Sequence, residues 1–581
     1  MYLRTLMMGW LAMSSSFAVA EPVFIRLLAT SDVHGHFTGY NYFTQQPEQK
    51  GLVHTAVVIH NERQGADISV LIENGDLIQG SPFTDAMLAA AAATEQELPL
   101  APLLNAIAYD VINLGNHEFN YGLDYLAKAY AGVSAPLISA NLIPRSEFAQ
   151  QHLTHQPYVI LERALPAQYQ QQGRSHLKLA FIGVVPPQIM QWDGQHLRGH
   201  VDVIPMVDAV QQSVREVQKQ GADLIVLVAH AGMPKATSDG HDDEQAVWQL
   251  AQIPGIDAIV FGHQHETFPG TSVYDELTAV DSQQGTIFGI PAVQPGLHGE
   301  HLGVIELKLN YATDTQQWRI VTSAAKVVPI TAQQDTAVAE LLQPAHEQTV
   351  AYMEQPIGAT HAELSHQWSR LQPTLATQLI HDAQLWYIDR YVREQQPAWG
   401  KLPRLSAVAP FHAASQADDS FTHIPAGALT MGDIGDLYRY PNTLDVVVIS
   451  GATLQQWLEG AAVGVQQGHS ADPWSWVNPA YPAYQFDTFS GLDYLIDPSQ
   501  PSGARVTTSP ALIPSQDYAV ITNNYRAHGG GQLGGLNGQQ IVFSSPDQIQ
   551  HILLAYIQKL GTQGYQEELR NNWEIKQEET N

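Results

Sequence analysis

Five short strings in the first half of the chain hold residue types that bind metals. They are Asp32-Val33-His34, Gly75-Asp76, Gly115-Asn116-His117-Glu118, Ala229-His230 and Gly262-His263-Gln264-His265. Asp32, His34, Asp76, Asn116, His230, His263 and His265 together offer carboxylates, imidazoles and one amide. That donor set suits Zn, Mn, Fe or Co better than Ca or Cu(I). It is too large for one tetrahedral zinc. It suits two adjacent divalent ions with one carboxylate between them. Such a pair, about 3.5–4 Å apart, can clamp a phosphoryl group and activate a water at neutral pH. Any one string arises easily by chance, so the ordered series carries the inference.

What must position these groups is visible just upstream of each. The apolar runs Phe24 to Ala29, Ile68 to Ile72, Val111 to Leu114, Leu224 to Val228 and Ile256 to Phe261 each lead into Asp, Asn or His. Runs of this length suit buried strands of a layered α/β fold. Helical spacing lies between them: Val207, Val210, Val214 and Val217 share one face, and Gly221 is placed to end that helix. In open α/β sheets ligands collect beyond the carboxyl ends of strands. The five strings are therefore expected to converge.

The second half resumes an α/β pattern after a Gln-, Ala- and Glu-rich segment that predicts a joining helix over 331–356. Leu444 to Ile449 predicts a strand followed by a helix from Ala452. Val520-Ile521-Thr522 predicts another, leading into Asn523-Asn524-Tyr525-Arg526-Ala527-His528-Gly529-Gly530-Gly531.

The N-terminal series resembles the calcineurin-like metallophosphoesterases. Asp436-Leu437-Tyr438-Arg439-Tyr440-Pro441-Asn442-Thr443-Leu444 and the Asn-Asn-Tyr-Arg-Ala loop resemble the C-terminal domain of the 5′-nucleotidase superfamily. Within it they are most similar to the bacterial 2′,3′-cyclic-nucleotide 2′-phosphodiesterase/3′-nucleotidase branch. The resemblance implies an N-terminal four-layer α/β/β/α sandwich over 21–330 and a C-terminal α/β nucleotide-binding domain over 357–581. It implies that Asp76 bridges two metal ions. Asp32, His34 and His265 would complete one site, and Asn116, His230 and His263 the other. His117 would face the substrate phosphate, with Asn120 orienting it. Tyr440 and Tyr525 would stack on the two faces of a nucleobase, and Arg526, Ala527, His528, Gly529, Gly530 and Gly531 would complete the substrate loop. Stacking on aromatic rings is worth about 1–3 kcal/mol per base and tolerates every base.

Two positions depart from ordinary 5′-nucleotidases and favour the cyclic-phosphodiesterase branch. Asn120 stands where those enzymes carry Asp. The segment Ala407-Val408-Ala409-Pro410-Phe411-His412 lacks the arginine they present to substrate. His36, also unusual for the branch, is expected to be an exposed loop histidine. The rival readings are a 5′-nucleotidase or nucleotide-sugar hydrolase on the same scaffold, and a metal-bearing periplasmic binding protein without turnover.

The bulk numbers agree with a small-molecule enzyme. The 581 residues carry a formal net charge of −30, which disfavours long nucleic acid as a partner. Bound metal can still reverse the field locally for a small anion. The chain has no cysteine, which removes thiolate ligands and a cysteine nucleophile. Arg4, the apolar run Leu6 to Met13 and Ala18-Val19-Ala20 predict a signal peptide over 1–20. A periplasmic location without a membrane anchor is the expectation.

Overall fold

The computed structural model describes residues 21–43, 45–93, 98–170, 174–234, 244–440, 442–469 and 472–576. The expected signal peptide lies outside the described residues. Among them, no helix is long and apolar enough to cross a membrane.

The N-terminal strands are β1 (Val23–Thr30), β2 (Ile68–Glu73), β3 (Val111–Asn113), β4 (Leu137–Ile138), β5 (Tyr158–Ala164), β6 (His176–Val184), β7 (Leu224–Ala229), β8 (Ala258–Phe261), β9 (Ile290–Pro295), β10 (His301–Ala312) and β11 (Gln317–Pro329). One sheet runs in the order β11-β10-β1-β2-β3-β4, and a second contains β9-β8-β7-β6-β5. The strands that precede the chemical strings are parallel neighbours: β1 to β2 to β3 in one sheet, and β7 to β8 in the other, where β6 runs parallel on the far side of β7. Their carboxyl ends therefore lie side by side.

Period-two alternation decides which layer each side chain joins. In β1, Ile25, Leu27 and Ala29 enter the seam between the sheets, while Leu28 faces the helices. In β7, Leu224, Val226 and Val228 enter the same seam, while Ile225 and Leu227 face the outer layer. Three helices, α1 (Leu52–Arg63), α2 (Pro82–Ala93) and α3 (Leu100–Ile107), cover the first sheet. The second is covered by α4 (Met206–Lys219), where Val210, Val214 and Val217 are buried and Gly221 follows at φ +78°. The result is the four-layer α/β/β/α sandwich.

The joining helix is α5 (Thr336–Met353), capped by the Asp335 side chain on Val338 N–H. It is shorter at both ends than the 331–356 read from sequence. The C-terminal unit follows, with α6 (Leu375–Gln395), the strands β12 (Arg404–Val408), β13 (Thr443–Ser450), β14 (Thr488–Ser490), β15 (Asp517–Asn523) and β16 (Ile541–Gln548), and α7 (Ile549–Leu560). Its main sheet runs β14-β12-β15-β13-β16. The carboxyl end of β15 delivers the Asn524–Ala527 turn of helix.

A partly buried ion pair ties the halves together. His551 Nε2 on α7 lies 3.0 Å from Asp85 Oδ2 in the first turn of α2. Burial opposes a charged imidazole here, but Asp85, helped by Asp547, raises its pKa to about 9. A raised histidine pKa adds stability that is full below the unfolded value and fades as pH climbs through the folded one. His551→Gln is therefore expected to lower Tm by a few degrees at pH 6, with the deficit shrinking to near zero at pH 10. Thermal unfolding of both proteins across that range checks it, and a deficit independent of pH counts against the charged pair.

Candidate metal centre and active site

The strings emerge from their strands through backbone that L-residues rarely adopt. Asp32, His34, Asp76, His263 and His265 have φ of +53°, +50°, +59°, +72° and +62°. Left-handed backbone costs roughly 1–2 kcal/mol at a non-glycine residue. Here it turns each side chain back across the strand ends. Gly75 permits the same close turn, because a Cβ there would stand 2.3 Å from Gly115 N.

Buried polar bonds hold the loops. The Glu118 carboxylate accepts from the N–H groups of Gly115, Asp76 and Leu77 at 2.7, 2.8 and 2.7 Å. Asn74 donates to Ser31 Oγ and the Ala229 carbonyl, and its own carbonyl accepts from Asn113 Nδ2 at 3.2 Å. Asn113 Nδ2 also reaches the Val184 carbonyl. This amide chain links β2 and β3 of one sheet to β6 and β7 of the other, directly beneath the site.

All seven candidate ligands meet there. Three groups have ligand atoms within 4.8 Å of one another: Asp32, His34 and His265; His34, Asp76 and His117; Asp76, His230 and His263. Asp76 joins two of them. Asn116 enters through its carbonyl oxygen, 3.1 Å from His230 Nε2. The arrangement fits divalent cations. The outer nitrogens are anchored: His34 Nδ1 faces the Gln79 carbonyl at 3.1 Å, His230 Nδ1 the Asn74 carbonyl at 2.7 Å, and His263 Nε2 the Glu244 carboxylate at 2.7 Å. Such anchoring fixes tautomers and presents the opposite nitrogen as a ligand. The inner nitrogens of His34 and His265 face each other at 3.1 Å, where at most one hydrogen bond is possible and a cation satisfies both lone pairs.

The electrostatics are those of a site built for positive charge. Burial works against the charge on Asp76, yet His230, His117 and His34 hold it well below the usual carboxylate range. Burial likewise opposes a charged His230, but Asp76 at 3.0 Å and Asp32 raise it to about 10. His34 is pushed down, chiefly by burial.

His117 stands at the rim, its side chain 15% exposed, with Nε2 4.0 Å from Asp76 Oδ2. Its Nδ1 meets Asn120 Oδ1 at 2.6 Å. With Asp76, Asn116, His263 and His265 it lines a cleft of about 840 Å³, whose far wall is Thr443, Asp445, Asn524 and His528 of the C-terminal unit. Tyr440 and Tyr525 are 46% and 47% exposed. Gly530 lies flat under the Tyr525 ring, where a Cβ would meet it at 2.5 Å.

Three expectations are corrected by the structure. Arg526 does not reach the cleft: its guanidinium is 1% exposed, pairs with Asp487 at 2.7 Å and donates to the carbonyls of Tyr484 and Gly530. It braces the Tyr525 loop from below. The Ala527 side chain is also fully buried. His36 is half-buried, stacked on His298 with centroids 3.6 Å apart, and burial lowers its pKa to about 4.

Several contributors carry no signal that a reading of the sequence could weigh. Glu118 lies inside one of the five strings, but nothing local marks it as the acceptor for three backbone N–H groups. Glu244 and Asp193 have partners 19 and 73 residues away. Segment 407–412 has no arginine of its own, but Arg439 from another segment contacts His412 Nδ1 and Asp436. With Tyr440, His36, His298 and Lys50, it lines a second hollow of about 240 Å³ beside the metal centre.

Two family models match the chain: calcineurin-like phosphoesterase over residues 25–267, and 5′-nucleotidase C-terminal domain over residues 349–537. A 2′,3′-cyclic-nucleotide 2′-phosphodiesterase/3′-nucleotidase of Yersinia enterocolitica is 38% identical, over 95% of this chain and 88% of the relative. Among solved structures, the calcineurin-like phosphoesterase YfkN of Bacillus subtilis is 34% identical over 57% of this chain and all of that one, with a TM-score of 0.52. The NAD nucleotidase of Haemophilus influenzae shares the fold at 16% identity and a TM-score of 0.63, covering 96% of this chain and 100% of that one.

The His230–Asp76 pair gives a direct test of the metal centre. Without metal, a histidine raised to about 10 keeps its proton at pH 7. A metal that takes Nε2 must displace it. Calorimetric titration of the metal-free protein with Mn²⁺ in two buffers of different ionisation enthalpy is expected to show release of about one proton. No release at pH 7 would mean that His230 is neutral before loading.

Proposed function

This chain belongs to the 2′,3′-cyclic-nucleotide 2′-phosphodiesterase/3′-nucleotidase family of calcineurin-like phosphoesterases, and we propose that it opens 2′,3′-cyclic nucleotides to 3′-nucleotides and then dephosphorylates these to nucleosides. The observation that carries this reading is the shared cleft, with a cation-binding cluster and His117 on one wall and Asn524 and His528, which flank the exposed Tyr525, on the other. A phosphate and a nucleoside can be held there at once.

Two divalent ions are proposed, drawn from Mn, Co, Zn and Fe. Asp32, His34 and His265 would hold one, and Asn116, His230 and His263 the other, with Asp76 placed within reach of both. When bound, they withdraw charge from the phosphoryl oxygens and lower the pKa of a water for in-line attack. The protein does the rest. His117 presents Nε2 to the phosphoryl oxygens and supports the charge that grows on them. In the first reaction water adds to phosphorus and the P–O2′ bond breaks, leaving the 3′-phosphate and a 2′-hydroxyl. In the second, water adds and the P–O3′ bond breaks, giving nucleoside and inorganic phosphate. Tyr440 and Tyr525 sandwich the base, whose stacking supplies affinity without base selection. Residues 1–20 are proposed to direct export to the periplasm.

The test is release of product by the protein loaded with Mn, Co or Zn, supplied with 2′,3′-cyclic AMP, 3′-AMP or 5′-AMP. Strong turnover of the first two and weak turnover of 5′-AMP is expected. Preference for 5′-AMP keeps the metal centre and overturns the substrate assignment. Absence of turnover by metal-loaded protein favours a binding protein.

The stacking roles have their own signature. Tyr440→Ala and Tyr525→Ala are each expected to raise KM for 3′-AMP about tenfold, the equivalent of ~1.4 kcal/mol of lost stacking. Inorganic phosphate inhibition should be unchanged, since phosphate carries no base to stack on either ring. Unaltered KM in both variants removes the sandwich.

A further inference from the structure

We propose that Asp193 is a positioning residue that fixes the working orientation of His117, acting through the side-chain amide of Asn120. This rests on the reading of His117 as the group that meets the phosphate, and adds to it the device that sets its ring.

The geometry is a three-member chain. Asn120 Oδ1 lies 2.6 Å from His117 Nδ1, and Asn120 Nδ2 lies 3.0 Å from Asp193 Oδ1. An asparagine amide is nearly symmetric in shape, so packing alone does not decide which end faces which neighbour. Chemistry decides it here. An ionised carboxylate only accepts hydrogen bonds. The amide must therefore turn its NH₂ to Asp193 and its carbonyl to His117. A carbonyl also only accepts, so His117 Nδ1 must carry a proton. The ring is left with Nε2 as the end presented to the cleft, either as a lone pair or, in the charged ring, as a second donor to a phosphoryl oxygen. One buried carboxylate thus sets the tautomer of a histidine it never touches.

Asp193 is built for the purpose. It is 3% exposed. Its backbone is held between two short helices, Ile189–Trp192 and Gly194–Leu197, donating to the Ile189 carbonyl at 2.8 Å and accepting from His196 and Leu197. Its second carboxylate oxygen has no hydrogen-bond partner among the described residues, so the bond to Asn120 is the one its side chain makes there. Burial lifts its pKa to about 6, which leaves it an acceptor at neutral pH. The preceding residue, Trp192, stacks on His263 at 5.9 Å, so the same segment packs against the metal cluster.

The arrangement also accounts for Asn120. The negative charge that ordinary 5′-nucleotidases place directly behind this histidine has not been lost; it stands one amide further back and comes from a different segment.

The test uses isosteric changes. Asp193→Asn keeps the link between residues 120 and 193, because two amides can still bond, but removes its direction. It is expected to lower kcat on 3′-AMP about tenfold or more, with KM within about twofold and metal content unchanged, as for other losses of a tautomer-setting carboxylate. The reciprocal exchange, Asn120→Asp with Asp193→Asn, puts a carboxylate at position 120 that accepts from His117 and from the new amide at position 193. It is expected to recover kcat to within about threefold of native. A merely structural Asp193 predicts no such rescue. Near-native kcat in Asp193→Asn, or an exchange variant no better than it, overturns the proposal. His117→Ala separates the two levels. If it retains native turnover, the reading of His117 fails and the proposal with it. If it is slow and Asp193→Asn slows it no further, the effect of Asp193 runs through His117. A further slowing in that background, of the same size as in native protein, overturns the proposal alone.

Discussion

Two sheets can share one polar site only if the groups at their ends are bonded to each other across an otherwise apolar seam. The amide chain of Asn74 and Asn113 makes that bond, joining β2 and β3 to the last carbonyls of β6 and β7. The seam below it is Val, Leu, Ile and Phe, so an unpaired amide there would cost about 1–3 kcal/mol. Both amides have their donors satisfied, and of their two oxygens only that of Asn113 has no partner among the described residues. The loops above can therefore be held in left-handed backbone at Asp32, His34, Asp76, His263 and His265. Glu118 completes the frame, its one carboxylate taking three backbone N–H groups from the two loops that carry Asp76 and Asn116. Cluster geometry is thus fixed by the scaffold before any cation arrives.

The ligand candidates are legible in the sequence because of this architecture. A parallel strand buried on both faces is a short apolar run, and a polar residue directly after it must lie at a sheet end. Five such runs, each followed by Asp, Asn or His, point to one place without knowledge of the strand order. What the sequence hides is pairing across distance. Arg526 sits in a glycine-rich loop that invites a ligand-binding reading. Its burial depends on Asp487, 39 residues away, whose position no local pattern announces. His36 stacks on His298 from across the domain for the same reason. Glu244 and Asp193 lie in irregular segments, where neither period two nor period 3.6 marks a facing side.

Charge is arranged against the average. A chain with net charge −30 repels anions at long range, yet its cleft is to hold a phosphate. The reversal is local. Two bound divalent ions would outweigh Asp32 and Asp76, the two aspartates of the cluster. On the far side, Lys50 and Arg439 line the second hollow beside His36 and His298. The remaining acidity serves selectivity, because a small anion can enter the cleft while a long polyanion meets repulsion along its whole length.

Splitting the site between two units explains why its aromatic half is left open. A tyrosine meant for the core is covered, as Tyr438 is at 1% exposure; Tyr440, two residues on, is 46% exposed. Tyr525 packs on Gly530 and is otherwise 47% exposed, and any larger side chain in place of Gly530 would push the ring aside. Beneath it, the Arg526–Asp487 pair and the Trp457 indole N–H on the same carboxylate make a rigid, bonded floor. Rigidity matters for a stacking platform, because a ring already held in place loses little freedom when a base lands on it. The loop is therefore ordered by buried polar bonds at its base, and its exposed ring is left for the ligand to cover.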